Sequence, residues 1–289
     1  MIDLIEENIS LKDKCYYKTG GFAKWYAEPK TVSQLNAILV WAKRGNVPFE
    51  IIGCGANLLI SDFGYNGLII SCSSLEQFIK IKEKNIIYCG AGVRLDKFTE
   101  FAVNNGFSGA ENLSGIPGSV GGAVIMNAGA FGTEIKDIAT KIYAVDFEGN
   151  GRAFSSDEVL FGYRSSKGLK GYIVTGGEFS LQKGHMDSLK TLRSDILQRR
   201  RDKQPLDKPS CGSVFKRPIK GYAGQLIEDC GLKGLRHGGA VISEKHANFI
   251  LNDTNATSAD IKWLIDEAIR RVKDKFDIIL EPEVRLIGF

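Results

Sequence analysis

Ser114-Gly115-Ile116-Pro117-Gly118-Ser119-Val120-Gly121-Gly122-Ala123-Val124-Ile125-Met126-Asn127-Ala128-Gly129-Ala130-Phe131-Gly132 carries no charged side chain and only short or apolar residues between its glycines. Glycine reaches backbone angles closed to other residues and lets the main chain approach a ligand closely. Such a run presents peptide N–H groups rather than side chains, and those groups suit a phosphate or pyrophosphate. A segment of similar character lies upstream, Ile51-Ile52-Gly53-Cys54-Gly55-Ala56-Asn57-Leu58-Leu59-Ile60-Ser61-Asp62. Two such segments in one chain point to a large nucleotide cofactor held along its length. Neither is a Walker A loop, since no Gly-Lys-Ser/Thr follows. Neither is the dinucleotide fingerprint, because Gly53-Cys54-Gly55-Ala56-Asn57-Leu58 fails at its last position. The phosphate-binding fold is therefore glycine-lined but neither a Rossmann unit nor a P-loop.

Working outward, 289 residues suit two or three domains. A hydrophobic content of 43% and a charged content of 25% are those of a globular protein. Glycine, at 33 residues, is in excess and sits in loops, which favours a β-rich, site-bearing protein over a helical bundle. The N-terminus, Met1 to Glu7, lacks the basic-apolar-small order of a signal peptide. No apolar run approaches the ~20 residues that span a bilayer, so a cytoplasmic protein without membrane insertion is expected. Cys15, Cys54, Cys72, Cys89, Cys211 and Cys230 are scattered and read as free thiols. They make no zinc spacing with His185, His237 or His246, and no metal site is expected. The net charge of +4 is too mild for a nucleic-acid footprint. The one basic cluster, Arg199 to Lys203, ends a helix, where cations complement the dipole.

Periodicity predicts helices over residues 31–42 (Leu35, Ile38, Leu39 and Ala42 inward) and 95–103 (Leu95, Phe98, Phe101 and Ala102 inward). Further helices are predicted over 188–201 (Leu189, Leu192 and Ile196 inward), over 222–230, and from Thr257 or Ser258 onward, with Ile261, Leu264, Ile265, Ala268 and Val272 as its stripe. Strands are predicted over 48–52, 67–71, 85–89 and 141–147. The segment Lys203 to Pro209, broken twice by proline, marks a domain boundary. In the terminal stretch 278–287, an extended chain would put Leu280, Pro282, Val284 and Leu286 on one face and Glu281, Glu283 and Arg285 on the other. A strand with three charges on one face is either an exposed edge or the wall of a cleft, and Pro282 fits an edge.

Both glycine segments, Phe161-Gly162-Tyr163-Arg164-Ser165-Ser166, Pro209-Ser210-Cys211-Gly212-Ser213-Val214-Phe215-Lys216-Arg217-Pro218, Ala247-Asn248-Phe249 and Leu280-Glu281-Pro282-Glu283-Val284-Arg285 occur in that order. Together they resemble the UDP-N-acetylenolpyruvoylglucosamine reductases, from Tyr17-Lys18-Thr19-Gly20-Gly21-Phe22 to the C-terminus. The glycine segments alone would point only to the wider group of FAD-binding oxidases and reductases. The short length and the Arg199-to-Pro205 linker resemble the shorter, second class of the family. The resemblance implies an α+β chain: a two-subdomain FAD-binding fold of the vanillyl-alcohol-oxidase/PCMH type, then a smaller α+β substrate-binding domain. The implied division is 1–80 for the first subdomain, joined by the terminal strand 280–289, then 81–204 for the second and 205–279 for the substrate domain.

The implied reaction is reduction of the enol ether of UDP-N-acetylglucosamine enolpyruvate to UDP-N-acetylmuramate for peptidoglycan synthesis, with FAD and NADPH. The family match puts Arg164 on the developing enolate, Ser213 as proton donor and Glu283 in the stabilisation and proton network, the three converging over the flavin ring. Glu281 competes with Glu283 on the same face. FAD contacts are implied for Gly53, Cys54, Gly55, Ala56, Asn57 and Leu58, and for Ser114, Gly115, Ile116, Pro117, Gly118, Ser119, Gly121 and Gly122. Where Ala56 stands the family commonly has Ser or Thr, so one hydroxyl contact is missing. Tyr163, Lys216, Arg217 and Asn248 are the candidate substrate contacts, and a monomer is expected. The rival readings are another flavoenzyme of this cofactor fold and a non-catalytic nucleotide-binding module. Histidine-tethered flavin is disfavoured because no histidine lies in either glycine segment.

Overall fold

The computed structural model describes residues 3–289. The chain forms two compact units. The first holds Trp25–Cys54 and Gly67–Arg200 with residues 3–7; the second holds Asn8–Lys24, Gly55–Asn66 and Arg201–Phe289. The boundary expected at 80/81 falls inside the first unit.

The first unit carries α1 (Val32–Arg44), α2 (Leu95–Asn104), α3 (Val120–Ile125), α4 (Ser156–Val159) and, up to Arg200, α5 (Met186–Lys203). Thr31 caps α1, its hydroxyl accepting from the Gln34 N–H at 3.2 Å. The helix buries Leu35, Ile38, Leu39 and Ala42, the stripe its period predicts. In one four-stranded sheet the order is Ile5–Ser10, Phe22–Ala27, Tyr65–Ser71, Phe49–Ile52. Its last pair is parallel, Phe49 opposite Leu68, with α1 packed in the same core. A five-stranded antiparallel sheet runs in the order Gly151–Ser155, Ala139–Asp146, Tyr172–Ser180, Ile86–Gly90, Ile79–Glu83. One continuous core joins Leu68 and Ile70, Ile87 and Cys89, Phe98 of α2 and Ile142, Val174 and Phe179 of this sheet. The helix α3, which continues directly from the glycine segment, packs on Tyr172–Ser180.

Sequence and structure part company on α5. Leu189 and Ile196 are buried as expected, but Leu192 is 43% exposed. The buried stripe includes Arg200, only 6% exposed. Arg193, one turn from Leu189, bonds Asp96 through Nη2 at 2.7 Å. That ion pair and the burial of Arg200 turn the helix away from the face its leucines alone would select.

The second unit carries α6 (Ala223–Asp229) and α7 (Ser258–Phe276). A capping box starts α7: Thr257 accepts from the Asp260 N–H, and Asp260 accepts from the Thr257 N–H. The expected stripe of Ile261, Leu264, Ile265, Ala268 and Val272 is buried. The helix packs on a three-stranded antiparallel sheet of Arg236–His237, Ala240–Ile242 and Ile250–Asn252. Arg285–Ile287 pairs in parallel with Leu58–Ile60.

The terminal stretch is not the continuous strand that was expected. A single bridge joins Pro282 to Phe215, and regular pairing begins only at Arg285. The N–H groups of Glu283 and Val284 both donate to the Val214 carbonyl, at 2.7 and 3.3 Å. Two residues thus oppose one, and the alternation slips as at a bulge. Leu280 and Val284 are buried, but Ile287 then replaces Leu286, which is 37% exposed.

Candidate active site

In the first unit Gly53 and Cys54, from the upstream glycine segment, lie beside Ser119 of the second segment. A Cβ on Gly53 would lie 2.9 Å from the Ser119 Oγ, and one on Gly121 would lie 2.9 Å from the Ala91 Cβ. A side chain at either position would force a neighbour to shift. The Val120 and Gly121 N–H groups are bonded to the carbonyls of Val93 and Ala91 at 2.8 and 2.9 Å. Those of Gly118 and Ser119, and of Gly53, Cys54, Gly55 and Ala56, donate to no protein acceptor among the described residues. Four of these donors, on Gly53, Cys54, Gly118 and Ser119, lie in the first unit, and a chain that leaves them so is built for an anionic ligand. The residues present therefore fit the diphosphate of FAD. Burial pushes the Cys54 thiol up, opposed by Arg94 and Ser119, so Cys54 is a neutral thiol and not a nucleophile. Ala56 has no hydroxyl, which leaves only its N–H for the cofactor.

Arg94 is a site residue that the sequence analysis missed. Its backbone bridges Ser119, and its guanidinium acts on Cys54. The available signal was a cation directly after the Gly90-to-Val93 turn. Asp96, two residues on, accepts the Gly115 N–H at 2.9 Å while paired with Arg193. Ser114, fully buried, donates to Thr99 Oγ1 at 3.2 Å. Helices α2 and α5 thereby hold the start of the glycine segment. Asp96→Ala should strand the Gly115 donor and an Arg193 side chain only 16% exposed. The loss should be about 1 kcal/mol for a carboxylate that is itself 42% exposed. It should show as a several-fold weaker FAD dissociation constant by fluorescence titration.

Tyr163 and Arg164 form the two-residue tip of a hairpin pairing Phe161–Gly162 with Ser165–Ser166. Arg164 has a φ of 50°, and its guanidinium lies 5.1 Å from the Tyr163 ring centre. Buried Asn127 holds this tip: its Nδ2 donates to the Gly162 carbonyl and to Glu134, each at 3.0 Å. The Asn127 Oδ1 accepts from the Lys136 N–H at 3.0 Å. The Ser166 hydroxyl donates to the Ile125 carbonyl at the end of α3 at 2.8 Å. The fold thus joins the Arg164 hairpin to the helix that issues from the glycine segment. Asn127 was legible only as the one amide in that segment.

In the second unit Ser213 and Glu283 lie on neighbouring chain segments. The Glu283 N–H donates to the Val214 carbonyl and the Lys216 N–H to the Glu281 carbonyl, at 2.7 and 2.9 Å. Both reactive candidates are half-buried. Lys216 pairs with Glu281, and the Arg217 guanidinium lies 4.4 Å from the Tyr222 ring centre. Asn248, expected to reach the substrate, has both amide atoms engaged by the protein. Its Oδ1 accepts from the Phe215 N–H at 3.0 Å and its Nδ2 donates to the Phe215 carbonyl at 2.9 Å. Its own N–H donates to His246 Nδ1 at 3.2 Å, and burial pulls the His246 pKa down, keeping that nitrogen an acceptor. No group of acids, thiols and imidazoles fit for a metal occurs among the described residues.

Residues 23–155 match the family model for the FAD binding domain. Residues 204–287 match that for the UDP-N-acetylenolpyruvoylglucosamine reductase C-terminal domain. A UDP-N-acetylenolpyruvoylglucosamine reductase of Lachnoclostridium phytofermentans is 42% identical over 97% of this chain and 92% of its own length. One from Staphylococcus carnosus is 40% identical over 99% and 92%. The crystal structure of the Thermus caldophilus reductase superposes with a TM-score of 0.84 at 32% identity, covering 98% of each chain. Fold and glycine-lined site define an α+β flavoprotein oxidoreductase that uses FAD. Within that class the chain belongs to the UDP-N-acetylenolpyruvoylglucosamine reductase family, which serves peptidoglycan precursor synthesis. Among the described residues no helix is long and apolar enough to cross a membrane.

Proposed function

We propose that the chain reduces UDP-N-acetylglucosamine enolpyruvate to UDP-N-acetylmuramate, with NADPH as reductant. FAD, when bound, would supply the hydride chemistry between NADPH and the substrate. The N–H groups of Gly53 to Ala56, and those of Gly118 and Ser119, would hold the cofactor. Net addition of hydride and a proton across the enol-ether double bond leaves no departing group. Hydride at the methylene carbon puts negative charge on the neighbouring carbon and its carboxylate. The Arg164 guanidinium, permanently charged and forked, binds that carboxylate and stabilises the enolate. Ser213 gives its hydroxyl proton to the substrate carbon, an acid strong enough because the accepting carbon is far more basic. Glu283 stabilises the enolate system and holds the proton network. Arg217, Tyr163 and, once Glu281 releases it, Lys216 receive the carboxylate and diphosphate of the substrate. Asn248 acts through Phe215 by fixing the Ser213 segment.

The hydrogen bond from Glu283 to Val214, next to Ser213, carries this reading, because it brings a hydroxyl and a carboxylate from distant chain positions onto adjacent backbone. Purified protein should be yellow and should bleach with NADPH under anaerobic conditions. Adding the enolpyruvyl nucleotide should restore the yellow; a persistent bleached form would reject the reductase assignment.

A further inference from the structure

Asn57 stands in the first glycine segment, yet its side chain is engaged elsewhere. Its Nδ2 donates to the Glu283 carbonyl at 2.9 Å, across 226 positions of sequence. Its own carbonyl accepts from the Arg285 N–H at 3.0 Å. These two bonds bracket Val284, which is buried. The Glu283 and Val284 N–H groups are meanwhile bonded to Val214. The Glu283 backbone is thus gripped from one side by the segment that carries Ser213 and from the other by the glycine segment.

The local chain needs that second grip. Pro282 has no N–H to give, and regular strand pairing starts only at Arg285. Remove the Asn57 donor, and the Glu283 carbonyl loses the bond that fixes its peptide plane. Glu281 is held differently, by the main chain and side chain of Lys216, and makes no such bond with the glycine segment.

We propose that Asn57 is a positioning residue for Glu283, so that ordering of the glycine segment by the cofactor also orders the carboxylate. The proposal rests on the reading of Glu283 as a reacting group. The N–H groups of Gly55 and Ala56, immediately before Asn57, donate to no protein acceptor among the described residues. A cofactor held by those groups fixes the main chain into Asn57, and the amide passes that order to Glu283. No covalent change is involved.

The test is Asn57→Asp, a near-isosteric change that replaces the donor with an acceptor facing the Glu283 carbonyl. Hydrogen–deuterium exchange over residues 281–287 is compared in the apoprotein and the FAD-loaded protein. In the unsubstituted protein FAD should slow exchange there. In the variant, exchange should be faster in the apoprotein and should lose its response to FAD. Anaerobic stopped-flow should show reoxidation by substrate slowed at least about 10-fold more than reduction by NADPH, the scale of a reacting group displaced by under an ångström. Unaltered exchange would overturn the clamp. Equal slowing of both half-reactions would reduce Asn57 to a structural residue. Glu283→Gln, run alongside, separates the two readings. If that substitution leaves reoxidation at the wild-type rate, the role of Glu283 fails, whatever the exchange shows about Asn57.

Discussion

Ser213→Ala is expected to slow reoxidation of the reduced enzyme by the enolpyruvyl substrate by about 100- to 10,000-fold, the range for losing a positioned general acid. Reduction by NADPH should stay near the wild-type rate, because it needs no proton delivered to carbon. The substitution removes one oxygen atom from a segment whose position is set by its main chain. The Val214 N–H donates to the Asn248 carbonyl at 2.8 Å, and the Phe215 N–H to the Asn248 side chain. Cys211 and Val214 are buried on either side. None of these bonds involves the serine hydroxyl, so the melting temperature should hold. Anaerobic stopped-flow at the flavin absorption band resolves the two half-reactions. Equal slowing of both would make Ser213 a structural residue.

Glu283→Gln should depress turnover by about 100-fold or more while preserving the fold. Glutamine keeps the length of the side chain and every backbone bond to Val214 and Asn57. Glu281→Gln is the matched control. Its carboxylate is 69% exposed and paired with Lys216, where an ion pair contributes at most about 1 kcal/mol. Turnover lost in Glu281→Gln and kept in Glu283→Gln would move the role two residues back.

The helices α1 and α7 were legible because each carries an unbroken apolar stripe at helical spacing and a Thr cap. The glycine segments were legible as part of a nucleotide-cofactor domain, and residues 23–155 match an FAD binding domain. The stripe of α5 was not, because it contains arginines. Burial of Arg200 and the orientation of Arg193 depend on a layer that includes Asp96, which is 97 positions from Arg193 in sequence and leaves no local pattern. The terminal stretch misled for a similar reason. Strict alternation assumes a regular ladder, and two N–H groups sharing the Val214 carbonyl break it. The proposed site residues rest on motif likeness, whereas Asn57 and Asn127 act on backbone far away in sequence. An asparagine in a loop looks the same whether it ends a turn or holds another loop in place.

Three asparagines hold the segments of the three proposed reactive residues by the main chain: Asn57 at Glu283, Asn127 at Gly162 beside the Arg164 tip, and Asn248 at Phe215. The scaffold therefore grips peptide groups in each of these segments. Inactivated forms made at Arg164, Ser213 or Glu283 should accordingly be well-behaved preparations, suited to trapping the intact nucleotide substrate for crystallography. Disabling the asparagines instead would yield a looser protein, unfit for that use.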